Sequence, residues 1–351
     1  MEEPRMKKRL LLGMTFLLLL VAGCNNDATA VDTEESQNDD KKKVSIMLDW
    51  YPNAVHSYIY VAQEKGYFND EDVEVDIQFP ANPTDPMNLT AAGKVTLGLY
   101  YQPDVILAQA NEDIPIKAVA SVVREPLNYT VMLEDSPIQS PKDLEDLTIG
   151  YPGIPLNEAL IKTMITNDGG DYDKVKMIDV GFELESSLVS ERVDAVTGTF
   201  INHEVPVMNA KGFKTRYFNP VEYGVPNYSE IVLLTGNDTW EKEHDAILAF
   251  WRAAQKGYEF MVEQPEEALE LLLSNQDQAN FPLDKAIEME SLSILLPKME
   301  TGGEPFGQLD EKSWEEVRDW LHEMELIKTK PQVEDMIIDI SSKEIFSNVT
   351  K

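Results

Sequence analysis

Leu48-Asp49-Trp50-Tyr51-Pro52-Asn53-Ala54-Val55-His56-Ser57-Tyr58 joins an apolar, strand-like run, Val44 to Leu48, to a run of helical spacing, Ser57 to Lys65. A carboxylate, an indole, an amide and an imidazole fall within the eight residues from Asp49 to His56. A strand that passes through such a loop into a helix reads as the opening unit of an α/β sheet, and loops of this kind carry ligand sites. The stretch therefore looks like half of a small-molecule site.

The plan repeats along the chain. Val73 to Ile77 alternates as a second strand, Thr84 to Ala92 suits a short helix with Thr84 as N-cap and Pro86 in its first turn, and Gly93 to Tyr100 gives a third strand. A helix over Asp104 to Ala110 and a strand over Ile116 to Val123 complete a βαβαβα series. From Leu147 the series starts again: strands at Leu147–Gly150, Val175–Val180 and Asp194–Thr199, helices at Leu156–Ile165, Leu184–Ser190 and His203–Met208. Two copies predict two similar lobes, each a mostly parallel sheet with helices on both faces. Thr239 to Glu325 is dominated by helices, and the stripe Ile247, Leu248, Trp251, Ala254 and Tyr258 reads as core. Such a tail would return to the first lobe and make it discontinuous. The expected division is 44–128 plus 235–351 for lobe 1 and 129–234 for lobe 2.

The N-terminus speaks to location. Arg5, Lys7, Lys8 and Arg9 precede the apolar run Leu10 to Ala22, and Val21-Ala22-Gly23-Cys24 follows as a small-residue cleavage site. The run is shorter than the roughly 20 residues an ordinary membrane span needs. Cys24 is the only cysteine, so an intrachain disulfide is excluded, and Val-Ala-Gly-Cys resembles a lipobox in which the thiol carries the lipid. Residues 1–23 are thus expected as a lipoprotein signal peptide and 24–43, polar and acidic, as a flexible tether. Cleavage removes four basic and two acidic side chains and takes the formal charge from −33 to −35. A chain this acidic repels phosphate backbones, which argues against a nucleic-acid partner.

Ligands of open α/β sheets bind beyond the carboxyl ends of the strands. That rule selects six loops: Asp49 to His56, Phe79 to Asp85, Tyr100 to Asp104, Tyr151 to Asn157, Gly181 to Ser187 and Thr199 to Glu204. Their candidate ligand-binding residues are Asp49, Trp50, Asn53, His56, Tyr100, Tyr101, Tyr151, Asn202 and Glu204. Aromatic walls favour a flat ring, at about 1–3 kcal/mol per stacked base. A carboxylate suits an amino group beside a ring nitrogen. Arg124 is the one basic residue close to a strand end, so a phosphorylated or sulfonated ligand fits poorly. His203 and Glu204 lack the spacing of a metal motif, Tyr151-Pro152-Gly153 is no phosphate loop, and His56 beside Ser57 makes no nucleophile–base pair. No cofactor or metal is expected.

Five separated segments, Asp49 to His56, Pro80 to Pro86, Gly98 to Asp104, Gly150 to Pro155 and Asn202 to Pro206, closely resemble the formylaminopyrimidine-binding lipoproteins of bacterial ABC importers, over roughly residues 44–270. The resemblance implies a type II periplasmic-binding-protein fold with a two-segment hinge, a thiamine pyrimidine precursor as ligand, a membrane permease as partner and no enzymatic activity. It also implies stacking by Trp50 with Tyr223 or Tyr100, and polar contacts from Glu204, Asp49 and Asn53. A lipid-anchored monomer on the extracytoplasmic face of the cell membrane is the expected form. Fungal pyrimidine-precursor synthases share the resemblance but use a pyridoxal-phosphate lysine, a histidine and a cysteine cluster with iron. Tyr100 and Asp104 stand at those lysine and histidine positions here, and Cys24 is the lone cysteine. A binding protein of the same fold for another solute, such as a sulfonate or an aromatic amine, is the nearer alternative.

Overall fold

Strand β1 runs over Lys42–Met47 and pairs in parallel with β2, Val73–Gln78, in the register Val44↔Val75 and Ile46↔Ile77. The computed structural model describes residues 41–276, 282–300 and 303–341. Cys24, the signal segment and the tether as far as Asp40 lie outside the described residues. β1 begins at Lys42, inside the expected tether, because the Lys42 N–H donates to the Asp72 carbonyl at 3.0 Å and extends the ladder past the apolar run.

Helices α1 (Ser57–Glu64) and α2 (Tyr67–Asp70) link β1 to β2, and α3 (Asp85–Ala91) links β2 to β3 (Leu97–Tyr100). Helix α4 (Gln102–Glu112) then leads to β4 (Ile116–Val123). The second series is β5 (Asn128–Leu133), β6 (Thr148–Tyr151), α5 (Pro155–Asn167), β7 (Lys176–Asp179), α6 (Leu184–Val189), β8 (Ala195–Phe200), α7 (Glu204–Ala210) and β9 (Thr215–Phe218). The chain returns as β10 (Ile231–Gly236) and ends in α8 (Asn237–Glu263), α9 (Pro265–Ser274), α10 (Lys285–Met299), α11 (Glu311–Glu323) and α12 (Val333–Met336).

The sheets have the orders β2-β1-β3-β10-β4 and β7-β6-β8-β5-β9. Each contains one strand that opposes both of its neighbours, β10 in the first and β5 in the second. The alternating α/β reading assigns no strand to 128–133, 215–218 or 231–236. Both opposing strands follow a crossing from the other sheet and enter against the local direction, a topological matter that hydrophobic pattern does not encode. We take the crossings, 124–127 and 219–230, as the division between lobes, which moves 231–234 into the first lobe and Asn128 into the second.

The tail stripe is buried as read: Ile247, Leu248, Trp251, Ala254 and Tyr258 are each no more than 3% exposed. Phe306, beyond α10, stacks on Tyr258 at 3.9 Å and on Trp251 at 5.2 Å of α8 and meets Tyr58 of α1 edge-on at 5.6 Å, which docks the tail onto the first lobe. Helices α1 and α8 touch at Gly257, where a Cβ would fall 2.1 Å from the Tyr58 carbonyl oxygen. Backbone cannot yield as a side chain does, so Gly257→Ala is expected to destabilise the fold by about 2–3 kcal/mol. A urea midpoint equal to that of the parent would show that the two helices separate freely.

Candidate functional site

The loop after β1 is built from its own polar groups. Asn53 caps the short turn Ala54–His56, its side-chain oxygen accepting from the Val55 N–H at 3.1 Å. The Asn53 N–H donates to His56 Nδ1 at 3.1 Å, so the imidazole proton sits on Nε2 and is given to Asp49 Oδ1 at 2.8 Å. Asp49, Asn53 and His56 are all buried. Their mutual bonds hold the turn in one conformation and leave Trp50, half-buried, as the residue presented outward. The Trp50 indole meets Phe182 of the second lobe edge-to-face at 4.5 Å, and Tyr51 lies 4.8 Å from the same ring.

The opposing wall starts at the end of β8. Glu204 Oε2 accepts from the Phe200 N–H at 2.8 Å, which folds the side chain back over the strand end. His203 lies between Glu204 Oε1 at 3.3 Å and Glu288 Oε1 at 3.0 Å, and the other Glu288 oxygen accepts from the Ala54 N–H at 2.8 Å. Burial opposes a charge on His203, yet the hydrogen bonds and charges of the two glutamates outweigh it and hold the imidazole up to about 10. It is an imidazolium at neutral pH, giving one proton to each carboxylate. The line Ala54–Glu288–His203–Glu204 thus runs from the first lobe through α10 to the second. Beside it, Asn202 donates to Ser291 of α10 at 2.9 Å.

Between these walls lie Tyr100 and Tyr101, with ring centres 4.6 Å apart, and Tyr101 faces Phe200 at 6.3 Å. Asp104 Oδ1 accepts from the Leu156 N–H at 3.1 Å, a bond from α4 of one lobe to the first turn of α5 in the other. Glu230 joins the two crossings, its Oε2 accepting from the N–H groups of Leu127 at 2.6 Å and Asn128 at 2.9 Å and from the Tyr228 hydroxyl at 3.2 Å. Burial raises Asp104 to about 8 and Glu230 to about 7. A cavity of about 430 Å³ opens beside Trp50, Tyr51, His203, Ile287 and Glu288, and another of about 290 Å³ beside Tyr100, Asp104, Leu107, Gly153 and Pro155. A third hollow, about 360 Å³ at Gly93, Gly236 and Thr239, sits at the amino end of β3, away from these loops.

Asp49, Trp50, Asn53, His56, Tyr100, Tyr101, Asn202 and Glu204 therefore belong to the facing ends of the two sheets. Tyr151, at the carboxyl end of β6, and Tyr223 are engaged within the second lobe. Tyr151 donates to Glu158 of α5 at 2.8 Å, and Tyr223, just beyond edge strand β9, turns its ring onto Phe218 at 5.7 Å while its carbonyl accepts from Asn167. Among the described residues neither makes a hydrogen bond or ring contact with the first lobe. Arg124 is engaged as well, by Glu304 and the Gln308 carbonyl. Phe182, Asp104, Glu230, Glu288 and Ser291 are the residues that sequence reasoning passed over. Phe182 and Asp104 stood inside selected loops, whereas Glu288 and Ser291 lie on a helix whose pattern signals only core.

Two five-stranded sheets joined by two crossings, with aromatic and acidic groups where their strand ends meet, define the two-lobed fold of the periplasmic-binding-protein type. The alkanesulfonate-binding protein of Xanthomonas axonopodis pv. citri, solved with MOPS, superposes with a TM-score of 0.67 over 86% of this chain and 100% of its own, at 11% identity. The chain belongs to the NMT1/THI5-like family, whose model matches residues 53–268. It is 52% identical over 336 residues to the formylaminopyrimidine-binding protein of Halalkalibacterium halodurans, covering 96% of this chain and 100% of the relative. It is also 26% identical over 265 residues to the 4-amino-5-hydroxymethyl-2-methylpyrimidine phosphate synthase of Legionella pneumophila, covering 72% of this chain and 79% of that one.

Proposed function

We propose that this chain is an extracytoplasmic solute-binding protein that captures formylaminopyrimidine, a thiamine precursor, and delivers it to an ABC permease. The observation that carries the reading is the hydrogen-bonded line Ala54–Glu288–His203–Glu204, which spans both lobes beside the Trp50–Phe182 contact. A flat ring between the lobes would meet Trp50 and Tyr101, and its amino group would meet carboxylates. Only the closed form makes both sets of contacts, so ligand shifts the population toward closure. Closure then marks the loaded protein for the permease, where ATP is hydrolysed by other subunits.

A sulfonate fits less well. Arg124 and the His203 imidazolium are both already matched by carboxylates, and burying a further anion beside acidic groups is unfavourable. The synthase reading lacks its cofactor lysine, since Tyr100 occupies that place, and lacks a cysteine cluster. We further propose that Cys24 carries the lipid, that the chain is held at the outer face of the cell membrane after loss of residues 1–23, and that it acts as a monomer. Calorimetry with formylaminopyrimidine, hydroxymethylpyrimidine, thiamine and taurine tests the ligand: the formylated and hydroxymethyl pyrimidines should bind and taurine should not. Binding of taurine with neither pyrimidine would overturn the assignment.

A further inference from the structure

Asp104 and Glu230 are 3% and 0% exposed, and each engages only one of its two oxygens. Asp104 Oδ2 and Glu230 Oε1 are buried without a hydrogen-bond partner. An unsatisfied buried polar atom costs about 1–3 kcal/mol, more when it is charged, so two in one place call for an explanation. Among the described residues neither carboxylate forms an ion pair with a lysine, arginine or histidine. The groups that face them are acidic or phenolic: Asp49 from the β1 loop, Tyr100 and Tyr101 from the β3–α4 loop, Tyr129 from β5 and Tyr228 from the second crossing.

We propose that Asp104 and Glu230 together form a proton-holding floor to the cleft, which takes a heterocycle presenting a ring-nitrogen acceptor beside an amino donor and binds it together with one proton. The inference rests on the aminopyrimidine reading above and adds to it a protonation state. Three donors already satisfy Glu230 Oε2, so the proton belongs on Oε1, and Leu156 occupies Asp104 Oδ1 in the same way. One of the two acids donates the O–H of its open oxygen to the ring nitrogen, and the open oxygen of the other accepts the amino N–H. If the proton crosses to the ring, a carboxylate–pyrimidinium pair results, with the same proton count. A site of bare carboxylates could accept from the amino group but would repel the ring-nitrogen lone pair.

The free acids, raised to about 8 and about 7 by burial, have largely lost this proton at alkaline pH. Binding there must draw it from solvent. For a group whose pKa is raised further in the complex, affinity is full below the free pKa and falls as pH rises through it. An aminopyrimidine ring takes up its own proton only toward the acid end of this window, so the slope above pH 8 reports the protein.

The test is titration calorimetry of hydroxymethylpyrimidine with the full-length chain, from about pH 6 to about pH 9, in phosphate and in Tris. Affinity should fall about tenfold per pH unit above pH 8, and the buffer dependence of the heat should show about one proton taken up per ligand. The double variant Asp104→Asn, Glu230→Gln, checked by circular dichroism for its fold, should lose the slope and the buffer dependence at whatever affinity it retains. An affinity that stays level across the range in the parent protein, with no buffer-dependent heat, overturns the proposal while leaving the pyrimidine assignment intact. Failure to bind any pyrimidine at any pH removes the assignment itself.

Discussion

Glu288→Ala is expected to lower the thermal midpoint by about 5 °C and to weaken ligand binding at the same time. The side chain is 1% exposed and bonds both the Ala54 N–H and the His203 imidazolium. Breaking a buried ion pair from one side costs about 3–5 kcal/mol, because the remaining charge is stranded. Here His203 keeps Glu204 and is 17% exposed, which brings the expected loss to about 2–3 kcal/mol. At a few degrees per kcal/mol for a chain of this size, that is the stated shift. Glu288→Gln separates charge from shape, since an amide oxygen can still accept from Ala54. His203 is raised above its unfolded value, so its contribution is full below the ordinary histidine range and is lost as pH climbs through about 10. The stability gap between parent and Glu288→Gln should therefore be widest just below the ordinary histidine value of 6.5, narrow through neutrality and close toward pH 10. A gap that is constant with pH would mean that His203 is not charged in the native state.

Trp50→Ala should weaken aminopyrimidine binding by about 5- to 150-fold while leaving unfolding cooperative, the fold-change that corresponds to about 1–3 kcal/mol of ring stacking. Its indole is half-buried, packs on the rim of the second lobe's core and touches Tyr51 at 6.4 Å and Phe182 across the cleft at 4.5 Å. Loss of that contact also removes an attraction between the lobes. Trp50→Phe keeps an aromatic face and should recover most of the affinity. Calorimetry with all three proteins decides the matter: equal affinities would place the ligand elsewhere, and an unfolded alanine variant beside an unimpaired phenylalanine one would make Trp50 a packing residue.

The first loop shows how far residue types lead toward roles. Asp49, Asn53 and His56 were each legible as site residues because polar groups of high chemical content rarely gather in a strand–helix turn for nothing. Their bonds to one another, from Asn53 N–H to His56 Nδ1 and from Nε2 to Asp49, also make the three a frame that presents a fourth residue, Trp50. Tyr223 entered as a stacking residue through the family resemblance alone, and the structure places its ring on Phe218 beside edge strand β9.

Local periodicity by itself determined the βα units, the buried stripe of α8 and the loops beyond the carboxyl ends of the strands, because burial on one face writes a period of two or about 3.6 directly into the chain. Only the tertiary structure decided that β5 and β10 oppose their neighbours, that Glu288 and Ser291 of a tail helix reach the second lobe, and that Asp104 and Glu230 are each buried with one oxygen unpartnered among the described residues. Those relations join residues far apart in sequence, from Ala54 to Glu288 or Leu127 to Glu230. The energy of such a contact depends on geometry and desolvation at the meeting point, and neither is a property of the segments taken singly.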